Sequence, residues 1–228
     1  MKTKISYAVF LFIISLTSGF AQVKSITPGQ DFTSIKVSTG LFVDIITNAE
    51  EKKIDIKGSA RDKVNVEVDD GELQLSLPVG QLFTEAEILI TVYTDVVEEL
   101  KVRSGSEVEF NTTVDQKELT LIASEGSYIG GGLKINTLSA KSVTGSSISL
   151  VGSATTTSIE VKTGGSYDGE DLKTETTSVS ISYGGEATVH ATETCSANVT
   201  AGGSIEIYGN PSTLSQKTKL GGNIKVIE

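Results

Sequence analysis

The sequence predicts an all-β protein: a single-stranded, right-handed parallel β-helix of about seven coils of 19–20 residues, with an N-terminal antiparallel β region ahead of it. Three observations carry that reading. A Gly followed by a small residue recurs at Gly105, Gly126, Gly145, Gly164, Gly184, Gly202 and Gly221, at intervals of 21, 19, 19, 20, 18 and 19 residues. Uncharged residues stand three after each Gly (Val108, Ile129, Ile148, Tyr167, Ala187, Ile205, Ile224), and polar or small ones follow at the next position, from Glu109 to Lys225. The chain has no Trp and 3 Pro against 23 Gly, a composition of short strands and tight turns, and no stretch keeps a 3.6-residue apolar period.

Residues 1–21 read as an export leader. Lys2 and Lys4 precede an apolar run from Ile5 to Leu16, and Gly19 and Ala21 supply small residues for cleavage. The run is short for a membrane span, and no Cys lies near the cut to carry a lipid anchor. The mature chain is expected to start at Gln22, exported and without a membrane span, in the periplasm, at the cell surface or secreted. Loss of the two lysines moves the formal charge from −10 to −12. Nucleic acid and anionic membrane both need a basic footprint, so neither is an expected partner. Cys195 stands alone, and no intrachain disulfide can form.

Residues 22–97 form the N-terminal β region. Ile35, Val37, Val43 and Ile45 flank Gly40 as in the repeat, so residues 33–46 read as a divergent first rung, with Leu41 where the others have a small residue. Lys53 to Lys57 alternates through Ile54 and Ile56. Val64, Val66 and Val68, then Asp70-Gly71, then Leu73, Leu75 and Leu77 spell a hairpin, which Pro78 ends. Gln81 to Ala86 reads as one helical turn or a loop, and Ile88, Ile90 and Val92 begin the next strand. The strands of 51–93 are expected to cover the N-terminal end of the rod, where a β-helix otherwise exposes unpaired edges.

Residues 98–228 are the repeat region. Seven rungs with about 4.8 Å between strands make a rod roughly 30–35 Å long, each rung holding about three strands of four or five residues with turns between. Gly suits the corner because a sharp bend needs positive φ or close backbone approach. Gly202→Val is expected to cost a few kcal/mol there. Gln216, Lys217, Thr218, Lys219 and Lys225 make the last rung polar and basic, which protects the open C-terminal edge.

The opening F-x-x-I-x-V-x-x-G-x-x-V-x-I of Phe32 to Ile45, the serial strand–glycine–strand rungs, and the phrase from Gly202 to Pro211 resemble the DUF2807 family, the auto-transporter adhesins with a head GIN domain. The likeness covers residues 32–228. It implies an exported β-helical envelope or surface protein of a kind common in Bacteroidetes, with no established catalytic residues to carry over.

Candidate chemistry is sparse. His190, the sole imidazole, falls next to inward Val189 and is expected to point outward, without a nucleophile motif beside it. Cys195 shares a column with Leu119, Leu138 and Leu214 and reads as a small buried residue. Asp168, Glu170 and Asp171 form an acidic turn, but other rungs lack the Asp of a calcium β-roll. Asp69-Asp70-Gly71-Glu72 belongs to the hairpin. Tyr128, Tyr167, Tyr183 and Tyr208 could stack sugars, although Tyr167 falls in an inward column and Tyr183 near a corner. Polysaccharide lyases and hydrolases on β-helices need paired carboxylates, or a calcium with basic residues, on adjacent rungs, and the repeat columns hold no such pair. No catalytic, cofactor-binding or metal-ligating residue is assigned. The leading expectation is a non-enzymatic binding module for a glycan or protein at the cell surface. A structural or sensory envelope module and a carbohydrate-active enzyme are the alternatives.

Overall fold

The computed structural model describes residues 23–78 and 88–227. The expected leader and the segment Gln81–Ala86 lie outside the described residues. The strands are β1 (Lys24–Ile26), β2 (Ser34–Val37), β3 (Phe42–Ile46), β4 (Lys53–Lys57), β5 (Asn65–Asp69), β6 (Glu72–Ser76), β7 (Leu89–Tyr93) and β8 (Glu99–Val102). Five long strands follow: β9 (Glu107–Ser124), β10 (Tyr128–Val143), β11 (Ser147–Lys162), β12 (Ser166–Ser182) and β13 (Glu186–Thr200). The chain ends in β14 (Ser204–Tyr208), β15 (Thr213–Lys219) and β16 (Asn223–Val226). All belong to one hydrogen-bonded sheet, and from β9 to β16 every pairing is parallel. The only helical piece among the described residues is a 3-10 turn at Arg61–Lys63.

The coil differs in one respect from three short strands with turns between. Each of β9 to β13 runs from one glycine corner to the next without a break, and it bends twice while staying paired. The bends fall where neighbouring residues both face outward, as at Asn136-Thr137, Thr155-Thr156 and Glu170-Asp171. Register slips at Gly131/Leu133, Ser149/Gly152 and Gly169/Lys173 absorb the first bend. Each coil therefore has a leading arm after its corner, a short middle side, and a trailing arm before the next corner. Proline explains the exception: Gly209 and Asn210 turn with φ of 88° and 50°, and Pro211, which lacks an N–H, separates β14 from β15.

The corner is a two-residue turn in which both residues are left-handed. At the repeat glycines φ is 69–85°, and the residue before each, from Ser104 to Leu220, has φ of 52–61°. Thr39 and Gly40 do the same at 69° and 71°, which makes residues 33–46 a true coil. That coil stacks directly on the next, with Ile35 against Leu100, Val37 against Val102, Val43 against Val108 and Ile45 against Phe110.

The N-terminal closure is more elaborate than a cover. β6 and β7 pair in parallel with β2 and β3 and add one further layer beneath them. The first coil is thus sandwiched between layers that come later in the chain. β5 then pairs antiparallel with β6, in the hairpin that turns at Asp70 and Gly71, while β4 pairs antiparallel with β7 and β1 with β4. At the other end β15 pairs, among the described residues, with β13 alone and is exposed along its whole length.

The core is a set of stacked columns. Ile35, Leu100, Leu121, Ala140, Ile159, Val179 and Ala197 form one, all buried. Full burial of each large branched side chain contributes about 1.5–3 kcal/mol. Glycines in the inward columns relieve crowding against aromatic residues: a Cβ on Gly131 would lie 2.6 Å from Cβ of Phe110, and one on Gly169 would lie 2.8 Å from the ring of Tyr167.

Candidate binding surface

The outward columns of this scaffold are its candidate surface, and two sides differ in chemistry. On the leading arms, one outward column reads Asp44, Glu109, Gly130, Ser149, Asp168, Thr188, Glu206 and Lys225. Beside it stand Tyr128, Glu107, Glu186, His190 and Tyr208, so this side is acidic and aromatic. Glu109 and Tyr128 converge on bare backbone, since a Cβ on Gly130 would lie 2.1 Å from Oε2 of Glu109 and 2.5 Å from the Tyr128 hydroxyl. Burial first, and then the charge of Asp44, holds the Glu109 carboxyl above its ordinary pKa. The Tyr128 hydroxyl is pushed up by burial and by Glu109, against a smaller opposing pull from the Ser149 side chain. Lost hydration raises Tyr208 as well, helped by Glu170, Glu206 and Asp168.

The trailing arms carry hydroxyls and ion pairs. A T-x-S motif recurs at residues 137–139, 156–158, 176–178, 194–196 and 213–215, and its threonines and serines stack as two parallel outward ladders. Next to them Lys101 pairs with Glu99 at 2.7 Å and Glu72 at 3.0 Å, and Lys141 pairs with Glu160 at 2.9 Å. Over the middle side runs an open groove of about 360 Å³ that includes Asp115, Lys134, Ser153, Lys173 and Glu175. Lys134 bonds Asp115 across it at 2.9 Å.

The residues singled out in the sequence distribute as follows. His190 does face outward, and it acts as a clip: its Nδ1 lies 2.9 Å from the carbonyl of Glu170, and its ring covers Gly209. Cys195 is fully buried, and burial pushes its thiol up to about 11. Tyr167 is buried inward, and Tyr183 stands 74% exposed at the left-handed position of its corner. The four tyrosines therefore do not share a face; only Tyr128 and Tyr208 lie on the acidic side. Asp168, Glu170 and Asp171 do not form a turn. They lie in the continuous strand β12, where Glu170 N–H donates to Asp168 Oδ1 at 3.3 Å as the chain bends. Among the described residues no three His, Cys, Asp or Glu side chains are grouped to hold a metal.

Two features escaped the sequence reading. Asp44 and Glu109 stand opposite each other on adjacent strands, a carboxylate pair that appears only when the divergent first coil joins the column. The Glu109 carboxylate lies over Gly130 of the next coil, near the Tyr128 hydroxyl. The second is a hydroxyl cluster inside the core. Thr157 and Thr177 share the Cys195 column and bond each other at 2.9 Å, while Thr174 bonds Thr177 and donates to the His190 carbonyl at 2.7 Å.

The comparisons with known proteins define the class. The family model described as "Putative auto-transporter adhesin, head GIN domain" (DUF2807) matches residues 31–211, and the chain belongs to that family. A solved "putative adhesin" from Bacteroides fragilis superposes with a TM-score of 0.83 at 21% identity, covering 90% of this chain and 96% of that one. A "putative adhesin" from Parabacteroides merdae gives 0.67 at 18% identity, covering 92% and 98%. A "Putative lipid binding protein" from Parabacteroides distasonis gives 0.66 at 15%, covering 91% and 98%. These likenesses are of fold. No curated protein matches. No helix among the described residues is long and apolar enough to cross a membrane.

Proposed function

We propose that this protein is an exported, non-enzymatic β-solenoid that binds a glycan or a protein at the cell envelope through its outward columns. The leader-like residues 1–21 and the adhesin family support export. The observation that carries the reading is the contrast of the two outward sides on one stacked scaffold: acidic and aromatic on the leading arms, hydroxyl-laddered on the trailing arms. Tyrosine faces stack on sugar rings or apolar side chains, and carboxylates with hydroxyl ladders hydrogen-bond polyhydroxylated or cationic groups. The Asp44–Glu109 pair lies on a sheet face, with the Glu109 carboxylate seated over Gly130 and the Tyr128 hydroxyl nearby, which favours binding over hydrolysis.

Glycan arrays and matrix-protein panels, probed with the purified protein, test the reading. Binding should appear on one of them and weaken severalfold in a Tyr128→Ala/Tyr208→Ala variant. Silence on both panels together with cleavage of a polysaccharide would overturn it in favour of an enzyme. Silence on both, with altered envelope integrity but normal adhesion in a deletion strain, would favour a structural module.

A further inference from the structure

The two ends of the solenoid complement each other. The trailing-arm stack begins at β5 and finishes at β15, and each has one edge without a strand partner among the described residues. The outward residues of β5 are Asn65, Glu67 and Asp69, all exposed, with Asp70 following at the turn. Those of β15 include Lys217 and Lys219, with no acidic residue in the strand.

Register ties them further. Glu67 opposes Gln74, and the same outward column passes through Lys36, Lys101, Ile122, Lys141, Glu160, Ser180 and Asn198 to end on Lys217. In the leading-arm stack one inward column starts at Ile26 and closes at Val226, both packed against the core but only partly buried. On that side Lys24 is already paired with Asp62 at 3.7 Å, so the charge complementarity is concentrated on β5 and β15.

We propose that the protein associates with itself head to tail, the β15–β16 end of one molecule docking on the β5–β1 end of the next so that the solenoid continues from copy to copy. The occupant of the open C-terminal edge is thus a second copy of this chain. Edge lysines block indiscriminate pairing, and here they also select: two C-terminal ends meet lysine to lysine, two N-terminal ends meet carboxylate to carboxylate, and only the heterologous arrangement brings opposite charges together. A heterologous contact along the rod axis does not close, so it yields open chains rather than a fixed dimer. The contact is one coil in cross-section, at the small end of protein interfaces, so association is weak, reversible and sensitive to salt. This proposal stands apart from the binding function above and would survive its failure.

Sedimentation velocity of the purified, host-processed protein across a wide concentration range is the test. The weight-average sedimentation coefficient should climb without reaching a plateau at one stoichiometry, and fall back in about 0.5 M salt. Lys217→Glu/Lys219→Glu should weaken association by about tenfold or more. Adding Glu67→Lys and Asp69→Lys to that variant restores opposite charges with reversed polarity and should recover association. All four positions are exposed, and unchanged thermal midpoints certify that the variants fold. A wild type that stays monomeric at every concentration overturns the proposal. So does a discrete dimer, or a folded quadruple variant that fails to reassociate.

Discussion

The earlier and later halves of the rod make the same corner from different atoms. In the earlier half the residue after the corner glycine is Ser106, Ser127 or Ser146, each buried, and its hydroxyl stitches coils together. Ser127 accepts the Ser124 N–H at 3.0 Å and donates to the Val102 carbonyl at 2.8 Å; Ser146 accepts from Val143 at 2.9 Å and donates to Ala123 at 2.8 Å. Ser106 stitches the other way, accepting the Gly40 and Leu41 N–H groups of the coil before. In the later half that residue is Gly165, Gly185, Gly203 or Gly222, and no side chain fits. A Cβ would lie 2.7 Å from Val161 at Gly185, 2.6 Å from Ile181 at Gly203 and 2.3 Å from Val199 at Gly222. Gly165 marks the change: a Cβ there would lie 2.6 Å from the carbonyl oxygen and 2.8 Å from the hydroxyl of Ser142, and from Gly185 onward a branched side chain of the coil before takes the space that the earlier corners fill with their own hydroxyl. The same change of style crosses the core, where the column of Leu119 and Leu138 continues as Thr157, Thr177 and Cys195.

The largest effect is expected from overfilling a later corner. Gly203→Val puts a branched side chain at φ 114°, against Ile181 and against the Gly185 carbonyl, which would lie 2.9 Å from the new Cβ. Strain and overpacking together should cost about 4 kcal/mol or more, read as a fall in the denaturation midpoint. A loss below about 1 kcal/mol would mean that the later corners have slack, and the contrast between the halves would collapse.

Emptying an earlier corner comes next. Ser146→Ala keeps the Cβ but removes the hydroxyl that serves the Val143 N–H and the Ala123 carbonyl, both left without that partner at a buried site. The expected loss is about 1–3 kcal/mol in chemical denaturation. Smaller still is Gly202→Ala. Nothing lies within 4 Å of the Cβ it would add, so at φ 84° only the left-handed penalty of about 1–2 kcal/mol applies. Equal losses for Gly202→Ala and Gly203→Val would show that φ, and not the coil below, sets the tolerance of these corners. The few kcal/mol expected for Gly202→Val from the sequence splits accordingly: strain belongs to the first glycine, steric exclusion to the second.

Much of the scaffold was legible because its physics repeats. A period near twenty, inward apolar columns and Asp70-Gly71 are local patterns, and they located the coils, the core and the capping hairpin. The polar last strand was equally plain. The left-handed residue before each corner glycine left no mark, because Ser104, Glu125, Thr144, Thr163, Tyr183, Ala201 and Leu220 share no chemistry; the glycine after it carries the recognisable half of the turn. The layer made by β6 and β7 was hidden because it comes after the coil it underlies, and only the strand pairing places it beneath β2 and β3. The surface was harder. T-x-S recurs plainly, but polar residues in outward columns look like ordinary solvation until their stacking is seen. Asp44 and Glu109 are 65 positions apart, and only the strand pairing sets them side by side.

The gentlest probe of the contrast is the thiol in the later half. Cys195 continues a column that Leu119 and Leu138 begin, and it is wholly buried beside Thr177. Burial disfavours the thiolate, so its pKa rises from 9.0 to about 11 in the folded chain. The folded state therefore keeps this proton to higher pH than the unfolded state does. The stabilisation is fully present below pH 9 and is lost as pH rises from about 9 toward 11. Two measurements follow. At pH 8 a disulfide-exchange reagent should label the native thiol orders of magnitude more slowly than the unfolded one, and only as fast as the chain opens. Between pH 9 and 11, wild type should lose stability more steeply than Cys195→Ala, which lacks the group. Rapid native labelling would place Cys195 at a breach between coils, and the later half of the rod would then be looser than its glycine corners imply.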